Sequence, residues 1–196
     1  MKRFLLYFLL IQSCTACSMQ NKKIMETFKI AEFNKNALGG VYQKTLDDGT
    51  EIKQFGDSSM GYVENAFPPK GWFYLQKEFY PSGILKAKGE RFKKGDYQAG
   101  IWLSYDSAGY QTGEINCDAP FKQTLQSVFK ILDQKKIPFS ASDIYNSITR
   151  GQRDTSAPYI WIVQWKALPD RLERIEIDDA SGKITNTDFT PFNENH

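Results

Sequence analysis

The strongest constraint on the fold is a repeat. Phe79-Tyr80-Pro81-Ser82-Gly83-Ile84-Leu85-Lys86-Ala87-Lys88-Gly89-Glu90 aligns with Ser104-Tyr105-Asp106-Ser107-Ala108-Gly109-Tyr110-Gln111-Thr112-Gly113-Glu114, allowing small length differences at the turn, and the two tyrosines stand 25 residues apart. A period of that size marks an array of stacked units, none of which can bury its apolar face alone. Each copy places a short turn between two runs that read as strands, the pattern of an antiparallel hairpin. Gly83, Gly89, Gly100 and Gly109 are then expected at tight turns, and Trp102 with Tyr105 on the stacking face.

The flanking sequence extends the pattern. Residues 41–46 and 50–55 bracket Asp47-Asp48-Gly49, whose Asp-Gly pair supplies the positive φ of a tight hairpin. A break at Phe67-Pro68-Pro69-Lys70-Gly71 precedes a strand over 72–80, with Trp72, Tyr74 and Tyr80 on one face and Phe73, Leu75 and Phe79 on the other. Further strands are expected over 84–92, 101–105 and 110–116. Fourteen Phe, ten Tyr and four Trp suit such half-buried pleated surfaces.

After Asp118-Ala119-Pro120 the apolar period changes to that of a helix. Phe121, Leu125, Val128, Phe129 and Leu132 share one face, with Lys135 and Lys136 near the C-terminal end, where the helix dipole favours cations. A second helix is expected over 142–149, capped by Ser140 or Ser142, with Ile144, Tyr145 and Ile148 inward. Strands over 159–165, 172–178 and 183–186 complete an α+β fold: a β-hairpin repeat sheet over 39–118, then a small helix-plus-antiparallel-sheet module over 119–196.

These residues carry two resemblances. Tyr80-Pro81-Ser82-Gly83 with Gly89, and Gly100-Ile101-Trp102-Leu103-Ser104-Tyr105 with Gly109, resemble the variant MORN repeats of bacterial proteins, over about 45 residues. Such repeats often occur in antitoxin-like or immunity proteins, so the resemblance implies protein binding without catalysis. Ile175-Glu176-Ile177-Asp178-Asp179-Ala180-Ser181-Gly182-Lys183-Ile184 looks like the closing hairpin of PepSY-type domains, exported modules associated with inhibition or interaction. A generic hairpin explains the same residues.

The N-terminus gives an address. Lys2-Arg3 runs into an apolar stretch over 4–11, within the ~7–15 residues of a secretory h-region and short of the ~20 that span a bilayer. It ends in Cys14 and Cys17. Cys14-Thr15-Ala16-Cys17 resembles the end of a bacterial lipoprotein signal, with Cys17 lipidated; Ile11-Gln12-Ser13-Cys14 is the alternative, with Cys14 lipidated. Residues 1–16 then form the signal and 17–38 a lipid-anchored tether that includes a short helix. Ser18 after the anchor resembles outer-membrane sorting, so the expected location is the outer membrane, facing the periplasm.

Processing and composition narrow the chemistry. The 25 basic and 23 acidic residues become 23 and 23 once Lys2 and Arg3 leave with the signal. A neutral chain offers no electrostatic case for nucleic acid. Cys117 is left as a lone thiol, and the one histidine, His196, is the last residue, which speaks against His-based relays and His-ligated zinc. Asp178, Asp179 and Ser181 lack the full loop pattern of a calcium site, so no metal and no cofactor is expected. Carboxylate-only glycan hydrolysis survives as an alternative, with Glu78, Glu90 and Asp106 as candidates. The main expectation is a membrane-anchored, non-enzymatic protein-binding lipoprotein of the envelope, an immunity protein against a periplasm-directed toxin being its most specific form and a structural scaffold its other form. Trp72, Tyr74 and Trp102 are its candidate anchors if exposed.

Overall fold

Alternating apolar and polar residues in the first half of the chain resolve into seven strands: β1 (Val41–Thr45), β2 (Glu51–Asp57), β3 (Gly61–Phe67), β4 (Phe73–Phe79), β5 (Leu85–Phe92), β6 (Gln98–Tyr105) and β7 (Gln111–Asn116). The computed structural model describes residues 23 and 26–191. Each strand pairs antiparallel with the next, so sheet order follows chain order. A helix, α1 (Ile30–Asn36), precedes this sheet. After it come α2 (Leu125–Gln134) and a four-stranded sheet of β8 (Ser147–Gly151), β9 (Ile160–Leu168), β10 (Arg171–Asp178) and β11 (Ile184–Pro191), ordered β11-β10-β9-β8. The fold is therefore α+β, a sheet of sequential hairpins followed by a helix and a second antiparallel sheet.

The repeat is visible as hairpin turns at one end of the first sheet. Gly83 and Gly109 hold φ near +84° and +86°, and each donates its N–H back across its turn, to the carbonyls of Tyr80 and Asp106. The Tyr80 hydroxyl donates to the Tyr105 carbonyl at 2.9 Å, tying one copy to the next. The β2–β3 turn is a third copy: Asp57 accepts from the amides of Ser59 and Met60 as Asp106 does from those of Ala108 and Tyr110.

Two of the expected turn glycines lie inside strands instead. Gly100 is in β6, and Gly89, mid-β5, serves close packing: a Cβ there would sit 2.4–2.5 Å from the Trp102 indole, which lies over it and donates to the Glu90 carbonyl. Tyr105 does not share Trp102's face. It joins Phe28, Phe33, Tyr62, Phe79 and Leu85 in a separate cluster.

That cluster changes the reading of the N-terminal segment. Phe28 and Phe33 are 6% and 3% exposed, Phe28 stacked on Tyr62 and Phe33 edge-on to it. The described part of the expected tether is thus packed on the sheet from Glu26 onward. Burying each ring is worth roughly 2 kcal/mol, enough to hold a polar stretch that composition alone reads as a linker.

The helix expected over 142–149 is absent: 142–146 form a bend and turn, and β8 takes the last three residues. Ile148 pairs with Val163, is fully buried, and donates its N–H to the Lys94 carbonyl at 2.6 Å, whereas Ile144 is 78% exposed. A helix would have set Ile144 and Ile148 on one face. Strand pairing wins because it buries the β-branched Ile148 from both sides. The other helix begins at Leu125, not directly after Pro120, because Thr124 and Ser127 form a reciprocal capping box. Phe121 stays outside it: the buried Asp179 carboxylate accepts from the Lys122 and Gln123 amides at 2.7 and 3.0 Å and from the Trp161 indole at 2.8 Å.

The larger core draws on both sides of residue 118. Phe92, from the end of β5, is fully buried among Val128, Leu132, Ile148, Trp161, Val163 and Ile177, with Trp72 and Tyr97 packed alongside. Arg150, on β8, closes the seam. Its guanidinium lies 4.3 Å from the ring centroids of Tyr97 and Phe121, pairs with Asp118, and donates to the Gln98 carbonyl at 2.8 Å.

At Gly95 this seam has no room for a side chain, since a Cβ would fall 1.6 Å from the Ile148 carbonyl oxygen. Gly95→Ala is expected to destabilise the protein by about 3 kcal/mol or more, because backbone must shift. Gly113→Ala, with 3.7 Å to its nearest neighbour, is the control and should cost well under half as much by urea denaturation.

Candidate functional site

A cleft of about 530 Å³ lies between the N-terminal segment and the hairpins of β1–β4. Its apolar floor is Phe28, Ile52, Ala66 and Phe79, and its ionisable groups come from separate elements brought together by strand register. Glu64 pairs with Gln54 across β2–β3 and with Lys77 across β3–β4, so all three project from one face. Glu26 arrives from the segment that crosses this face.

The charges in the cleft are matched. The Lys77 ammonium sits 2.8 Å from Glu26 and 3.2 Å from Glu64; Lys88 reaches the other Glu26 oxygen at 3.0 Å. Gln54 donates to Glu64 at 2.6 Å. Nearer the rim, Lys44 pairs with Glu32 at 2.8 Å and Lys29 lies 3.7 Å from the same carboxylate. Burial opposes charge on Glu26, but the Lys77 and Lys88 pairs outweigh it and hold its carboxyl below the ordinary value of 4.5. Burial likewise works against the Lys77 ammonium, and Glu26 and Glu64 overcome it and raise its pKa.

Glu26 and Glu64 are close because they share Lys77. Glu26, its carboxyl held down by two lysines, is poorly suited to the general acid of a hydrolytic pair, whose pKa must be raised. The three carboxylates marked in the sequence do not converge. Glu78 accepts from Gln76; Glu90 pairs with Leu75 in the register and so projects from the opposite face to Glu78; Asp106 caps its own turn.

The candidate anchors are built into the structure. Tyr74 and Trp102 are buried, and Trp72 packs 4.8 Å from the Phe129 ring centroid and 6.0 Å from that of Phe92. Exposure, the condition for their use as anchors, is therefore not met by Tyr74 or Trp102, and Trp72 is committed to the seam. Burial and then the Asp96 carboxylate, which accepts the Tyr74 hydroxyl at 2.6 Å, push the Tyr74 phenol up to about 12. Cys117 donates its thiol to Gln98, and burial pushes that thiol up, away from a reactive thiolate. Asp178 and Asp179 spend their oxygens on the chain's own donors. Cys14, Cys17 and His196 lie outside the described residues.

Sequence reasoning passed over Glu26, Glu64, Lys77 and Lys88. They stand at unrelated spacings, and only strand register joins them. Comparison with protein families, curated proteins and solved structures finds no significant match. No described helix is long and apolar enough to cross a membrane.

A carboxyl depressed in the folded state contributes stability that is present above its unfolded value near 4.5 and is lost as the pH falls through the folded pKa. Glu26→Gln is therefore expected to lower the thermal midpoint at pH 7, and the difference from the parent should shrink as the pH falls below 4.5. Melting curves across that range check the sign.

Proposed function

We propose that this chain is a lipid-anchored protein of the bacterial envelope that binds another protein without catalysis. The observation that best supports the reading is the cleft: a rigid, strand-built surface whose acids and bases are already paired. Mixed, preorganised charge favours recognition of a complementary surface and its orientation on approach. The depressed Glu26 carboxyl is poorly suited to act as an acid.

The address supports the location. Lys2-Arg3, the apolar stretch and Cys14-Thr15-Ala16-Cys17 describe export and lipid attachment, with Cys17 the preferred anchor and Cys14 its alternative. Outer-membrane placement, facing the periplasm, follows from Ser18 after the anchor. The likeness to variant MORN repeats gives the proposal its most specific form, immunity against a toxin that reaches the periplasm.

The N-terminal mass of the mature protein should correspond to an acylated Cys17. A mature chain beginning at an unmodified residue would remove the anchor from the proposal. With the anchor established, the tagged protein should recover a discrete protein partner from envelope extracts. Charge reversal at the rim, Lys29→Glu with Lys44→Glu, should lower that recovery about tenfold, and raised salt should lower it for the parent as well. Recovery of no partner, or equal recovery by the reversed variant, contradicts binding through the cleft.

A further inference from the structure

The hairpin repeat gives the first sheet two distinct ends. The turns at 57–60, 81–83 and 106–109 share one end; the β1–β2, β3–β4 and β5–β6 connections and the exit of β7 share the other. These ends meet different neighbours. The C-terminal module docks on the second, through Trp72, Phe92 and Tyr97 and the Lys94–Ile148 backbone bond.

The N-terminal segment lies along the first end. Phe28 donates its N–H to the Gly83 carbonyl at 2.7 Å, and Leu85 donates to the Glu26 carbonyl at 3.2 Å. Thr27 bridges Ile84, and Lys23 bridges Tyr110, with its ammonium 5.4 Å from the Tyr110 ring centroid. The chain thus passes from the β4–β5 turn to the β6–β7 turn as it runs back toward its N-terminus. Lys23 stands six positions after Cys17. Fully extended, that span reaches ~20 Å, and from Cys14 ~30 Å. The anchor therefore leaves from the turn end and holds it close to the bilayer.

We infer that the end carrying turns 57–60, 81–83 and 106–109 faces the lipid headgroups, and that the C-terminal module is displayed away from the membrane. The inference rests on the lipid anchor of the proposed function and adds an orientation to it. Strands of seven or eight residues put the module's docking end ~25 Å beyond the turns. Charge does not decide the matter, because Lys23, Lys29 and Lys86 at the turn end are offset by Asp57, Glu78 and Asp106. The exposed apolar tip does add to it: Met60, at the β2–β3 turn, is 85% exposed beside the half-exposed Phe55. A methionine at that tip can enter the headgroup layer with little desolvation cost.

The test uses the full lipidated chain, reconstituted in vesicles of phosphatidylethanolamine and phosphatidylglycerol that carry a headgroup-labelled acceptor lipid. On a Cys117→Ser background, donor dyes are placed one at a time at Ser107→Cys in the membrane-facing turn, Lys70→Cys at the opposite end of the sheet and Gln134→Cys in the module. Energy transfer from position 107 should exceed that from 70 and 134 roughly twofold, in line with the strand-length separation. Equal transfer from all three, or a reversed order, overturns the orientation while leaving the anchor intact. The mass of the mature N-terminus in the same preparation separates the two failures: an unacylated chain that does not float with vesicles overturns both.

Discussion

A single buried cation holds the two sheets in one body. The Arg150 side chain is 5% exposed, and a guanidinium taken out of water is strongly unfavourable unless its charge and donors are answered. Every element at the seam answers part of it. The β5–β6 connection supplies the Tyr97 face, the stretch after β7 supplies Asp118 and the Cys117 carbonyl, Phe121 closes the second face, and Trp161 of β9 lies 5.2 Å away. Removing any one would leave the charge less well compensated, so the constraint fixes all of them together. Asp179 plays the matching role on the acidic side, ordering the loop before α2 with its carboxylate oxygens.

From that seam the functional reading takes its shape. The first sheet is clasped at its turn end by the N-terminal segment and at its other end by the module, leaving a polar strip of its face between them. The cleft opens on that strip. Its lysines and glutamates hold each other in place across four separate elements, which makes the surface stiff before any partner arrives. Under the proposed function, such a surface suits docking, and the hairpin array would set the anchored end apart from the end that bears the C-terminal module.

The hairpins were legible in the sequence because their signals are local: Asp-Gly, Pro-Ser-Gly and Ala-Gly turns flanked by alternating aromatics. The third repeat at Asp57-Ser58-Ser59-Met60-Gly61 escaped because no tyrosine marks it. Strand β8 escaped because its case rests on Lys94 and Val163, partners far away in the chain. The same reason hid the cleft. Glu26, Glu64 and Lys77 meet through register and a crossing segment, and no spacing along the chain encodes that meeting. The aromatic residues misled in a related way: Tyr74 and Trp102 were candidate anchors if exposed, yet Trp102 lies on Gly89 and both are buried.

Hydrogen exchange followed by mass spectrometry, comparing the parent with Arg150→Met, tests most directly whether the seam unites the protein. In the parent, amides of β6 and β9 should exchange with one common opening free energy. In Arg150→Met, β9 should open at a lower free energy than β6. Independent opening of the two strands in the parent, or an unchanged common value in the variant, would contradict a fold held together at Arg150.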